Sequence, residues 1–144
     1  MTQGFEANPC RPMPWLDAFA VGDPRIDAEH RALMDGCNQF CRLVAAGAAT
    51  AEIMATVHRL AAAFEDHMAS EEALFPAIRF PGGPRHLAEH QRLRARLTEL
   101  TAHASRAQPA RDLGAHANAL RAQLVEHLLR YDLAYKTWVE EARG

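Results

Sequence analysis

Apolar residues recur three and four positions apart through four long stretches of the chain, the period of helices that each turn one face inward. In the first, His30, Leu33, Met34, Cys37, Cys41 and Val44 share a face. Asp27 stands ahead of it as a side chain suited to capping the helix start, and Gly47 with the small residues after it closes the segment. The second stretch runs from near Thr50 to about Ile78 and carries Ile53, Val57, Leu60, Phe64, His67, Glu71, Leu74 and Ile78. Pro81, Gly82, Gly83 and Pro84 then interrupt the pattern. A third helix is predicted from about Arg85 to Ala104, with His86, His90, Leu93, Leu97 and Leu100 on its stripe. Pro109 suits the first turn of a fourth, which extends to about Glu141 and lines up Leu113, Leu120, Leu124, His127, Tyr131 and Trp138.

No stretch alternates with period two, so strands are not expected and the class is all-α. Four amphipathic helices on short loops predict an antiparallel up-and-down four-helix bundle. Residues 1–26, with Pro9, Pro12, Pro14 and Pro24, read as an irregular N-terminal arm. Trp15, Leu16 and Phe19 are apolar enough to dock that arm onto a bundle spanning 27–144. A chain of 144 residues suits one domain with a core that needs no disulfides. Its 16 basic and 18 acidic residues leave a net charge of −2, which disfavours nucleic acid as a partner. Neither a signal peptide nor a membrane-spanning run is visible. The three cysteines, Cys10, Cys37 and Cys41, do not resemble a secreted disulfide framework, so a reducing cytoplasm is expected. Cys37 and Cys41 share a helix face and read as small buried hydrophobes.

Eight histidines are the excess in the composition, and each predicted helix places at least one on its apolar stripe. His67 and Glu71 lie four apart, as do His86 and His90, which puts each pair on one helix face about 6 Å apart. Either pair alone is a common coincidence. Five imidazoles and two carboxylates buried together are not, because each uncompensated group costs several kcal/mol. No lysine or arginine sits on these stripes to neutralise them. A metal centre resolves the conflict, since imidazole nitrogens and carboxylate oxygens suit first-row metals. Seven ligands exceed one ion, whereas two bridging carboxylates, a bridging oxo or hydroxo group and a three-plus-two split of histidines suit two. Such a pair keeps one position open for a small molecule. Zinc's closed tetrahedral preference fits poorly, which favours iron.

The sequence from Trp15 through IDAEH ending at His30, HMASEE from His67, HLAEH from His86 and HLLRYDLAY from His127 resembles the hemerythrin family over about residues 15–138. The resemblance maps the family's ligands onto His30, His67, Glu71, His86, His90, His127 and Asp132. It implies one iron held by His86, His90 and His127, a second held by His30 and His67, and bridging by Glu71 and Asp132. It further implies reversible dioxygen binding at the second, five-coordinate iron. His127 and Asp132 fit the helical period poorly: five residues apart, they point roughly 140° away from each other. A local widening of the helix or side-chain reach must bring both inward.

Leu33, Leu124 and Leu128 stand where the family lines its oxygen pocket with aliphatic residues. Three positions depart from the pattern: Met68 replaces a usual aromatic, Gln123 a frequent Trp and Glu29 a common Gln. Met68 reads as a core gap filler and Gln123 as a boundary residue; the sharper reading is that both make the pocket looser or wetter. Glu29, Asp66, Glu89 and Glu126 each precede a ligand histidine and read as a solvated face, because neighbouring positions diverge by about 100°. The same offset turns Glu72 outward. His58, His103 and His116 read as surface or boundary residues. An imidazole-rich set with few carboxylates favours holding dioxygen over oxidising with it. The expected function is therefore non-enzymatic: dioxygen storage, transport or delivery, with an oxygen-using or signalling protein as a further partner. A di-iron oxidase, peroxidase or nitric-oxide-handling enzyme, or an oxygen sensor, is the alternative on the same bundle. With only three residues after Glu141, a stand-alone binder is expected rather than one fused to a signalling module.

Overall fold

Asp23, not Asp27, starts the first long helix. Its carboxylate accepts a hydrogen bond from the Ile26 amide, and Pro24 fits the first turn of α1, Pro24–Ala45, where no amide is needed. Asp27 lies one turn inside and takes the amides of Val21 and Gly22, at 2.8 and 3.2 Å. The arm thus gives way to helix three residues earlier than the pattern predicted, and both aspartates fix that junction. The computed structural model describes residues 12–106 and 113–144. Within the described part of the arm, a short 3₁₀ turn spans Asp17–Phe19. Phe19 is buried, and Trp15 packs edge-on to it at 5.5 Å beneath the Arg31 guanidinium. Leu16 does not dock: half of it is exposed.

Gly47, at φ +67°, supplies the left-handed residue that ends α1 and turns the chain. Helix α2 follows as Thr50–Ala77, and α3 as Gly83–Ser105, with Pro84 in its first turn. The position expected of Pro109 lies outside the described residues. The fourth arm of the bundle is composite: α4, Gly114–His127, passes into a π turn, Leu128–Asp132, then a 3₁₀ turn, Leu133–Tyr135, and then α5, Lys136–Arg143. Each helix packs beside its sequence neighbours, and α4 closes the square against α1. The result is an all-α four-helix bundle. Among the described residues no helix is long and apolar enough to cross a membrane.

Two apolar clusters fill the bundle. The larger includes Leu33, Phe40, Phe64, Met68, Leu97 and Leu120. The smaller gathers Val21, Ile26, Phe75, Ile78, Tyr135 and Val139 at the end where the arm arrives. Each buried Leu, Phe or Ile contributes roughly 1.5–3 kcal/mol, and this burial holds the helices in register. Helices α1 and α2 approach closely at Gly36, where a Cβ would lie 2.8 Å from Leu60 Cδ1. Cys37 and Cys41 are buried thiols outside any disulfide, and burial pushes the Cys37 thiol well above its ordinary value, so it stays protonated. Cys10 lies outside the described residues.

Candidate metal centre

Between the two clusters the interior turns polar. His30, Glu71, His90 and Asp132 are fully buried there, and His67, His86 and His127 nearly so. One group comprises Glu71, His86, His90 and His127; another comprises His30, His67, Glu71 and Asp132, with the ligand atoms of each group within 4.8 Å of one another. Glu71 belongs to both. Its Oε1 lies 2.9 Å from His90 Nε2 and 3.3 Å from the Nε2 atoms of His67 and His86. Asp132 also spans the two: Oδ1 is 2.9 Å from His86 Nε2 and 3.0 Å from His127 Nε2, while Oδ2 is 3.0 Å from His30 Nε2. All five imidazoles therefore present Nε2 to a pair of carboxylates.

The π turn accounts for the awkward five-residue spacing. Bonds from i to i+5 widen the turn, so His127 at its edge and Asp132 at its end both face inward. The same widening moves the inward stripe by one position. Tyr131 and Trp138, expected inside, are half-buried, while Asp132, Tyr135 and Val139 are buried. Tyr131 instead stacks on His127 at 5.6 Å and 28°.

Three further residues hold this layer, and the sequence pattern pointed to none of them in that role. Glu29 reaches across from α1 to His67 on α2, accepting from Nδ1 at 2.9 Å and from Ser70 Oγ at 2.9 Å. Glu72 reaches from α2 to α3, accepting from His90 Nδ1 at 2.7 Å and from Arg94 at 3.2 Å. It is half-buried rather than turned out to solvent. The offset of each acid from the inward residue beside it, His30 for Glu29 and Glu71 for Glu72, hid both contacts, because the partner lies on the neighbouring helix. The useful signal was the acid flanking an inward stripe. Tyr135 donates its hydroxyl to Glu71 Oε2 at 2.6 Å. By contrast Asp66 is exposed, Glu89 pairs with Arg92 and Glu126 with Arg130, as a charged face should.

The electrostatics are those of a buried cluster whose imidazoles and carboxylates stabilise one another's charged forms. Burial opposes charge on His30 and His127, but Asp132 and Glu71 outweigh it and push them up to about 9 and about 10. His86 is raised by the same balance. Burial likewise opposes charge on Asp132 and Glu71, yet the surrounding imidazoles hold both well below the usual carboxylate range. Hydrogen bonding does not finish the task. Both Asp132 oxygens, both His127 nitrogens and His86 Nε2 are buried with no hydrogen-bond partner among the described residues. The His–Asp132 contacts are short but misdirected for N–H···O bonds, as expected of groups aimed at a common centre. An unsatisfied buried carboxylate is costly, and a metal ion would satisfy it. The donor set of nitrogens and oxygens, with no thiolate, fits iron.

Comparison with known proteins agrees. The hemerythrin HHE cation binding domain matches residues 21–139. The myohemerythrin of Riftia pachyptila is 30% identical over 125 residues, covering 87% of this chain and 92% of that protein. The chain belongs to the hemerythrin family. All seven residues assigned by resemblance fall inside the matched span of this hemerythrin domain. Leu33, Met68, Leu124 and Leu128 are all buried in the larger apolar cluster beside the polar layer. Gln123 is half-buried and borders a cavity of about 320 Å³ also lined by Arg92, Arg96, His127 and Tyr131. Its buried Oε1 finds no partner among the described residues.

Proposed function

We propose that this hemerythrin-family protein holds two iron ions and binds dioxygen reversibly for storage, transport or delivery. The observation that carries the reading is the placement of both carboxylates between a three-histidine set and a two-histidine set. On this reading His86, His90 and His127 would hold one iron and His30 and His67 the other, with Glu71 and Asp132 placed between the two sets. When bound, the iron pair would supply reversible electron transfer to dioxygen. The chain's own residues do the rest. Glu29 and Glu72 accept from Nδ1 of His67 and His90, which keeps the Nδ1 proton outward and the Nε2 lone pair inward. Tyr135 holds its proton on Glu71 Oε2, turning Oε1 toward the histidines. Leu33, Met68, Leu124 and Leu128, buried in the larger apolar cluster, keep water from the layer. Five imidazoles against two carboxylates limit the negative charge delivered to the metals, which disfavours oxidation of other substrates.

The test is the visible spectrum of the iron-loaded protein, reduced without air, exposed to oxygen and then degassed. An oxygen-dependent charge-transfer band that disappears on degassing is expected. A band that never forms, or collapses at once to the fully oxidised spectrum, overturns reversible binding in favour of a di-iron redox enzyme. The Gln123 cavity is the observation that favours this second reading, because it brings a polar, roughly 320 Å³ space against His127. Gln123→Trp should fill much of that space and slow loss of the oxygenated band severalfold. A variant that decays as fast as the parent removes the cavity from the account.

A further inference from the structure

A third group of ligating side chains lies near the other end of the bundle. Glu99 and His103 stand one turn apart on α3, and His116 faces them from the first turn of α4. One potential ligand atom from each falls within 4.8 Å of the others. The His103 and His116 rings lie 4.3 Å apart, tilted by 36°. Glu99 is exposed and both histidines are half-buried, so the group opens to solvent. The helical rise places His103 about 20 Å along α3 from His90, beyond the reach of the buried centre. Their exposure agrees with the surface role read from the sequence, but that role does not account for their convergence. Among the described residues no side-chain hydrogen bond or ion pair engages any of the three.

We propose that Glu99, His103 and His116 form a second, solvent-facing site for one divalent transition-metal ion of the zinc class. Two imidazole nitrogens and one carboxylate oxygen suit such an ion; calcium and magnesium prefer oxygen throughout. Three protein ligands leave the fourth tetrahedral position to water. Around a tetrahedral zinc, with bonds near 2.0–2.1 Å, ligand atoms sit roughly 3.3 Å apart. The ligand atoms already lie within 4.8 Å of one another, and partly exposed side chains on two adjacent helices reach that spacing by small rotamer changes. The ion ties the last turns of α3 to the start of α4, independently of whatever the buried centre binds.

The experiment titrates zinc chloride into the iron-loaded full chain against a competing fluorescent chelator, with iron measured in the same samples. One equivalent of zinc per chain should bind with iron retained. His103→Ala and His116→Ala should each weaken that binding at least tenfold, whereas His58→Ala, at an exposed histidine on α2, should leave it unchanged. Zinc should also raise the unfolding midpoint of the parent and of His58→Ala, but not of the other two variants. Absence of zinc binding, displacement of iron by zinc, or undiminished binding in both His103→Ala and His116→Ala overturns the proposal. Failure of reversible oxygen binding leaves this result unaffected, because the readout is zinc affinity.

Discussion

Glu29 and Glu72 touch the imidazoles of His67 and His90 at Nδ1, on the side away from the buried carboxylates, and their substitution separates orientation from coordination. Glu29→Gln or Glu72→Gln keeps an oxygen able to accept from Nδ1 but removes the charge that strengthens the inward lone pair. Either change should lower iron affinity about 10–100-fold, read by competition with a chelator, while the far-ultraviolet spectrum stays that of the parent bundle. An unchanged affinity would reduce both acids to surface charges. Tyr135→Phe deletes the 2.6 Å donor to a buried carboxylate, and the loss of a hydrogen bond to a charged group costs about 1.5–3 kcal/mol. Denaturant unfolding of the iron-free chain measures it; a cost near zero would mean that another donor takes over. Six of the seven central residues were legible, because the HxxxE and HxxxH pairs and the lone His30 and His127 fall on helical stripes that are otherwise apolar; Asp132 was not. The acids behind them were not, since a contact between neighbouring helices depends on which helices adjoin and how they are rotated. Periodicity along one helix carries neither fact.

At the scale of elements, the same limit appears in the fourth arm. Its stripe was readable as far as His127, and the resemblance supplied Asp132 where spacing opposed it. The stripe beyond was mispredicted by one position because the π turn at Leu128–Asp132 adds one residue to the turn. If that extra residue is what keeps Asp132 in phase with His127, then removing one exposed residue from the turn should leave the centre intact. Deletion of Arg130, which is exposed, makes the pair four apart, a spacing that an ordinary α-helix places on one face. Such a chain should still take up as much iron as the parent. Insertion of an alanine after Leu129 makes the pair six apart and turns Asp132 away. That chain should load less iron, by about half if one of two ions is lost. Equal loading of the insertion variant, or an empty deletion variant, would show that the π turn is not what aims Asp132. The early start of α1 has a comparable cause: Asp23 and Asp27 are both good capping residues, and the demand of the preceding Val21 and Gly22 amides for a carboxylate takes Asp27 and leaves the cap to Asp23.

For the whole molecule, the buried layer makes stability depend on whether metal or protons neutralise Glu71 and Asp132. In the iron-free chain His30 and His127 titrate at about 9 and about 10 when folded, against 6.5 when unfolded. A raised histidine contributes its full stabilisation below the unfolded value and loses it as pH climbs through the folded one. Both carboxylates are held low, so their stabilisation is present above the ordinary carboxylate range and lost as acid protonates them. The iron-free bundle should therefore be most stable between the usual carboxylate range and about pH 6.5, then weaken steadily toward pH 10. For His30 alone the shift corresponds to about 3 kcal/mol, enough to lower the unfolding midpoint by several degrees. Iron held at Nε2 would exclude those protons, so the loaded protein should show no such decline above pH 6.5 and should instead lose metal and stability as acid competes for its ligands. Thermal unfolding of both forms across pH 5–10 reads the difference. Parallel curves would mean that the histidines are not the groups that neutralise the carboxylates, and that iron does not displace protons from them.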